Sequence, residues 1–201
     1  MMKNLVIKGC LATCLLLATT PFASANLVVN GGFETGDFSG WTTMSAASGS
    51  FYSVGSSGQH SGAHAADFGA FGADLDAISQ TFATTPGTIY NLTFWLQENS
   101  TTPFSSEFRV TFGGVTELDL MDSPGFPYTE FNYNLLATGS SLTLEFAGRD
   151  ARALYILDDV DVEAGAAGVP DSGSTLAIAV TAFVGLFFFR LTVGRRRAAQ
   201  I

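Results

Sequence analysis

Trp95 sits in a run that reads Tyr90-Asn91-Leu92-Thr93-Phe94-Trp95-Leu96-Gln97. A period of two puts Tyr90, Leu92, Phe94 and Leu96 on one face of a strand, and Asn91, Thr93, Trp95 and Gln97 on the other. An indole flanked by amides and a hydroxyl suits a sugar platform: the ring stacks on the apolar face of a pyranose and the amides orient its hydroxyls. The next strand can add Glu107, Arg109 and Thr111, with Tyr128 and Phe126 in a Pro-bounded loop beyond. The same Trp95 would also suit a partly buried sheet position under a loop, so both roles stay open.

A second feature is Asp158. Unbroken alternation places it with Ile156, Val160 and Val162, the aliphatic face, while Asp159 falls with Asp161. A carboxylate turned toward aliphatic neighbours needs a cation or hydrogen-bond donors to offset desolvation. Backbone amides, Arg149 or Arg152 would serve as well as a metal.

Catalytic patterns are thin by comparison. His60 and His64 stand four apart in a Ser/Gly-rich stretch without the helical HExxH context of a zinc site, and no G-x-S-x-G elbow is present. Acid pairs such as Asp74 with Asp76, or Glu117 with Asp119, have the residue types of glycoside hydrolysis, but an acidic chain produces such pairs by chance. A non-catalytic protein is expected. Both cysteines, Cys10 and Cys14, fall in the first 25 residues, so the remainder has no disulfide and no thiolate chemistry.

The elements that position these groups read as strands. Besides the Trp95 run, alternation recurs at Phe108, Val110, Phe112; at Phe131, Tyr133, Leu135; and at Leu142, Leu144, Phe146. Pro86-Gly87, Gly113-Gly114, Ser123-Pro124-Gly125 and Gly139-Ser140 mark the turns between them. The 45–73 stretch is rich in Gly, Ser and Ala and reads as loops with short strands near Phe51–Val54 and Ala65–Phe68. Repeated short strands with Gly-rich turns, and 18 Phe for the core, predict an all-β antiparallel β-sandwich (jelly roll) over residues 26–163.

The two ends carry address information. Lys3 and Lys8, the apolar Leu11–Leu17 and the small-residue site Ala23-Ser24-Ala25 read as an N-terminal signal peptide, residues 1–25. Residues 164–175 form a Gly/Ala linker and the motif Val169-Pro170-Asp171-Ser172-Gly173. A C-terminal single transmembrane helix, 176–193, follows, and a basic cytoplasmic tail, 194–201, closes the chain with Arg195-Arg196-Arg197. Between residues 26 and 168, ten Asp and seven Glu face only Arg109, Arg149 and Arg152, with no lysine, giving a net charge of −14. Such a field repels nucleic acid and anionic membrane surfaces and attracts divalent cations.

The tail resembles the tripartite C-terminal sorting signals of bacterial exosortase systems (PEP-CTERM-like), in a VPDSG variant. The resemblance implies recognition by an exosortase-type sorting enzyme, membrane attachment through the C-terminal helix before processing, and delivery to the cell envelope, outer surface or extracellular matrix. The body is similar at several short motifs to galactose-binding-like jelly rolls among carbohydrate-binding modules. These motifs are Asn30-Gly31-Gly32-Phe33-Glu34, Gly36-Asp37-Phe38-Ser39-Gly40-Trp41, His60-Ser61-Gly62 and Tyr155-Ile156-Leu157-Asp158-Asp159-Val160. That resemblance implies extracellular polysaccharide as the partner. It also implies a structural Ca2+ shared by Glu34 and Asp158, its shell completed by carbonyls of the His60–Ala63 turn. A structural extracellular-matrix or envelope protein without a specific glycan is the alternative.

Overall fold

The computed structural model describes residues 25–100 and 105–165. The expected signal peptide up to residue 24, the motif Val169–Gly173, and the expected C-terminal helix (176–193) and basic tail lie outside them. Among the described residues no helix is long and apolar enough to cross a membrane.

Ten strands build the body: β1 (Thr42–Met44), β2 (Tyr52–Gly55), β3 (Ala65–Phe68), β4 (Asp76–Ala83), β5 (Ile89–Glu98), β6 (Ser106–Phe112), β7 (Val115–Met121), β8 (Phe126–Leu136), β9 (Ser141–Asp150) and β10 (Tyr155–Ala164). They form two five-stranded sheets, ordered β1-β4-β9-β6-β7 and β2-β3-β10-β5-β8. All pairings are antiparallel. The alternation read from sequence is the alternation observed: Tyr90, Leu92, Phe94, Leu96, Phe108, Val110, Phe112, Leu142, Leu144 and Phe146 all point into the core. The sheets meet through aromatic edges. Phe94 of β5 packs on Phe146 of β9 (5.2 Å between centroids, 79°), and Phe68 of β3 on Phe108 of β6 (5.6 Å, 83°). Burying each such ring contributes about 2 to 3 kcal/mol.

The opening motif is structural. Phe33 and Trp41 stack at 5.8 Å inside the core, and the Trp41 indole donates to the Asn30 carbonyl. The segment before it runs along β10, tied by Leu27 N–H to Val162 O and Val160 N–H to Gly31 O. A Cβ at Gly31 would collide with the Val160 carbonyl, so only glycine permits this approach.

Two features depart from the sequence reading. The chain crosses from one sheet to the other between β5 and β6, so β6 pairs with β9 and β7 and never with β5. A bulge also interrupts β10 between Asp158 and Asp161, with Asp159 at φ 49°. One extra residue reverses the facing of everything after it. Tyr155 and Leu157 face the core before the bulge, Val160 and Val162 after it. Asp158 is therefore not on the Val160 face. It pairs with Trp95 and shares the outer side of its sheet with Ile156, which pairs with Gln97.

Candidate functional site

The outer face of the β2-β3-β10-β5-β8 sheet gathers most of the residues expected to bind sugar. Asn91, Trp95 and Gln97 project from β5, and Tyr128 joins them from β8. Arg109 does not: it lies on β6 in the opposite sheet, near Glu107 at 3.6 Å. Succession in the chain would make β6 a neighbour of β5, but the crossing between sheets pairs it with β7 and β9 instead. Asn91 donates to Asn132 and Asn134 of β8 (2.8 and 3.2 Å), forming an amide ladder.

Trp95 is covered. The His60 imidazole stacks on it at 3.9 Å and 13°, and meets Tyr128 edge-on at 5.1 Å. Nδ1 of His60 is 2.7 Å from Asp159 Oδ2, and Ser61 Oγ donates to Asp159 Oδ1 at 2.6 Å. Asp158 Oδ2 accepts the backbone N–H groups of His60 and Ser61 (2.8 and 3.1 Å), while its Oδ1 accepts Asp159 N–H. Glu34 accepts the N–H groups of Ala63 and His64. Gly62, at φ 62°, gives Glu34 room, since a Cβ there would strike its carboxylate. Three acidic side chains thus fasten one loop over the Trp95 ring. Asp158 is buried, which raises its pKa; the amides of Ser61, Asp159 and His60 pull it back down, against the charge of Asp159.

The calcium expectation meets a specific geometry here. The 60–64 loop turns N–H groups, not carbonyls, toward Glu34 and Asp158. As arranged, this pair suits amide donors rather than a hard cation. Among the described residues no group of three or more His, Cys, Asp and Glu side chains is placed to hold a metal.

A different place is open to solvent. At the end of the sandwich a cleft of about 840 Å³ is walled by Phe51, Gly69, Phe71, Asn99, Asp150 and Arg152, among others. Phe51 and Phe71 are 49% and 69% exposed, the two exposed aromatic side chains among the described residues. Their positions follow from the β2–β3 ladder, which continues past Tyr52 through Gly69 N–H to Phe51 O and Phe71 N–H to Gly49 O. Each ring lies over a glycine on the opposing strand, Phe51 over Gly69 and Phe71 over Gly49, with about 2.9 Å to a Cβ built there. Asp76 braces the rim: its carboxylate accepts Ala46 N–H, Ser50 Oγ–H and Phe51 N–H at 2.6 to 2.8 Å. The Asp74/Asp76 pair considered as catalytic is thereby split, since Asp76 is buried and fully occupied. The sequence signal for this cleft is faint: two isolated phenylalanines among Gly, Ser and Ala, outside any alternating run.

Residues 168–191 match the VPDSG-CTERM motif. No curated protein matches the chain. Among solved structures the body is similar to TmCBM61, determined in complex with beta-1,4-galactotriose, with TM-score 0.55 and 17% identity over 71% of this chain and 100% of that one. It is also similar to the enzymatically active domain of tailspike protein 4 from bacteriophage CBA120 (TM-score 0.53, 16%, covering 70% and 21%). The K1 cleaved adhesin domain of Lys-gingipain from Porphyromonas gingivalis is a third (0.52, 16%, 67% and 96%). At these identities the likeness is one of fold. The chain therefore joins a VPDSG-CTERM sorting motif to a body with the β-sandwich fold of a carbohydrate-binding module.

Proposed function

We propose that this protein is an exported, surface-sorted, non-catalytic module that binds extracellular polysaccharide in the cleft at the end of its sandwich. The observation that carries the reading is the pair Phe51 and Phe71, held exposed on the rim of a polar-walled cleft. Exposed rings fixed over glycines by a backbone ladder are poised to stack on pyranose faces, and Asn99 and Arg152 supply hydrogen-bonding groups for the hydroxyls. The face around Trp95 is the poorer platform while His60 occupies its ring. The sorting motif implies a sorting-enzyme partner. In this reading an exosortase-type enzyme receives the chain while its C-terminal helix holds it transiently in the inner membrane.

Affinity chromatography of the purified full chain on a broad panel of immobilised polysaccharides tests the binding. Phe71→Ala is expected to weaken retention about 10-fold or more with an unchanged melting temperature, since a stacked ring contributes on the order of 1.5 to 2 kcal/mol. Trp95→Ala is expected to leave retention intact; the reverse pattern would move the site to the sheet face. No retention on any glycan would remove the binding reading and favour a matrix protein whose tail alone sets its location.

A further inference from the structure

The inward-facing register of the core runs one rung further than its hydrophobic residues. Beyond Leu96 and Phe108 the next inward positions are Glu98 on β5 and Ser106 on β6, paired with Tyr155 of β10 and Asp150 of β9 respectively. All four side chains are buried, at 2%, 0%, 0% and 2% exposure. Ser106 Oγ and Tyr155 Oη bond directly between the sheets at 3.2 Å. Asp150 Oδ1 accepts the N–H groups of Arg152 and Ala153. Its Oδ2, and both carboxylate oxygens of Glu98, have no well-formed hydrogen bond.

We propose that this rung binds a hard divalent cation of the calcium class, held between the Glu98 carboxylate and Asp150 Oδ2 with the Ser106 hydroxyl beside them. Two buried carboxylates, three of whose oxygens lack a well-formed hydrogen bond and have only weakly placed hydroxyls beside Glu98, are costly to leave uncompensated. A single shared proton occupies two oxygens at most. A cation takes all three, adds Ser106 Oγ, and reaches a coordination number of about six with water from the cleft, whose wall includes Asp150. Burial and the neighbouring charge of Asp150 raise the Glu98 pKa, partly offset by the nearby Tyr155, Ser106 and Ser123 hydroxyls; a cation relieves the same strain. Two carboxylates, rather than the three or four of a tight site, place the affinity near ~10⁻⁴ to 10⁻³ M, the range of extracellular modules. The acidic body, at −14 between residues 26 and 168, raises the local cation concentration. The site is distinct from Glu34 and Asp158, and independent of whether a glycan binds above it.

Melting temperatures of the purified full chain in calcium at a few millimolar and in chelator, with terbium luminescence sensitised through Tyr155, test the site. Calcium is expected to raise the melting temperature by about 3 °C or more. Glu98→Gln and Asp150→Asn should each abolish both the shift and the luminescence, while Glu34→Gln keeps them. Glu98→Gln removes a buried charge at constant shape, so in chelator it should melt no lower than the wild type and serves as the folded control. The proposal is overturned if calcium has no effect, or if Glu34→Gln abolishes the effect and Glu98→Gln does not. Stabilisation by acid alone, with no cation response, would mean a shared proton and overturn it equally.

Discussion

Asp76 accepts three hydrogen bonds from the 46–51 segment and so fixes the approach of Phe51 to the cleft. Asp76→Ala strands two amides and a hydroxyl, and the expected loss is roughly 2 to 4 kcal/mol of unfolding free energy in a denaturant titration. Asp67 is the opposite case. It is buried on the outer side of β3 with Ser53 Oγ at 3.4 Å and its Oδ1 unpartnered, and burial pushes its pKa up to about 6. A folded-state value above the unfolded one means the native state binds more protons between about pH 4 and 6. Its contribution to stability is therefore present below pH 4 and lost as pH rises through 6. Asp67→Asn should stabilise the fold at pH 7 by roughly 2 kcal/mol and have almost no effect at pH 4. Equal effects at both pH values would show that Asp67 is not the titrating group.

At the scale of elements, the β10 bulge decides what its acidic residues do. Asp159 occupies the left-handed region, where Asn and Asp are tolerated and β-branched residues are not. Asp159→Val should cost about 1 to 2 kcal/mol more than Asp159→Asn, read as a difference in denaturation midpoints at constant slope. Continuing the alternation of Tyr155 and Leu157 without the bulge would turn Val160 and Val162 outward; with it, both return to the core while Asp158 stays on the outer side, where it accepts the amides of His60 and Ser61 and anchors the covering loop. That cover has its own readout. His60→Ala should expose the Trp95 ring and increase iodide quenching of tryptophan fluorescence, because Trp41 remains 7% exposed in the core. Unchanged quenching would mean the loop shields Trp95 without the imidazole.

At the scale of the molecule, seventeen acidic side chains against three arginines between residues 26 and 168 make self-repulsion a standing cost of compactness. Raising sodium chloride from about 10 to 150 mM shortens the Debye length from about 30 to 8 Å, so the melting temperature should rise. A flat or falling response would show that local ion pairing dominates. The sequence by itself determined the all-β class and the inward faces of β5, β6, β8 and β9, because alternation with Gly and Pro turns is a local property. It also carried the sorting motif at 168–191. Only the tertiary structure decided which sheet each strand joins, which removed Arg109 from the neighbourhood of Trp95. The bulge at Asp159 was equally invisible, since one left-handed residue reverses a strand's facing without altering its composition. The covering of Trp95 by His60, the rim formed by Phe51 and Phe71, and the Glu98–Asp150 rung join residues 20 to 52 positions apart. Those meetings depend on strand order and register, which no local pattern encodes.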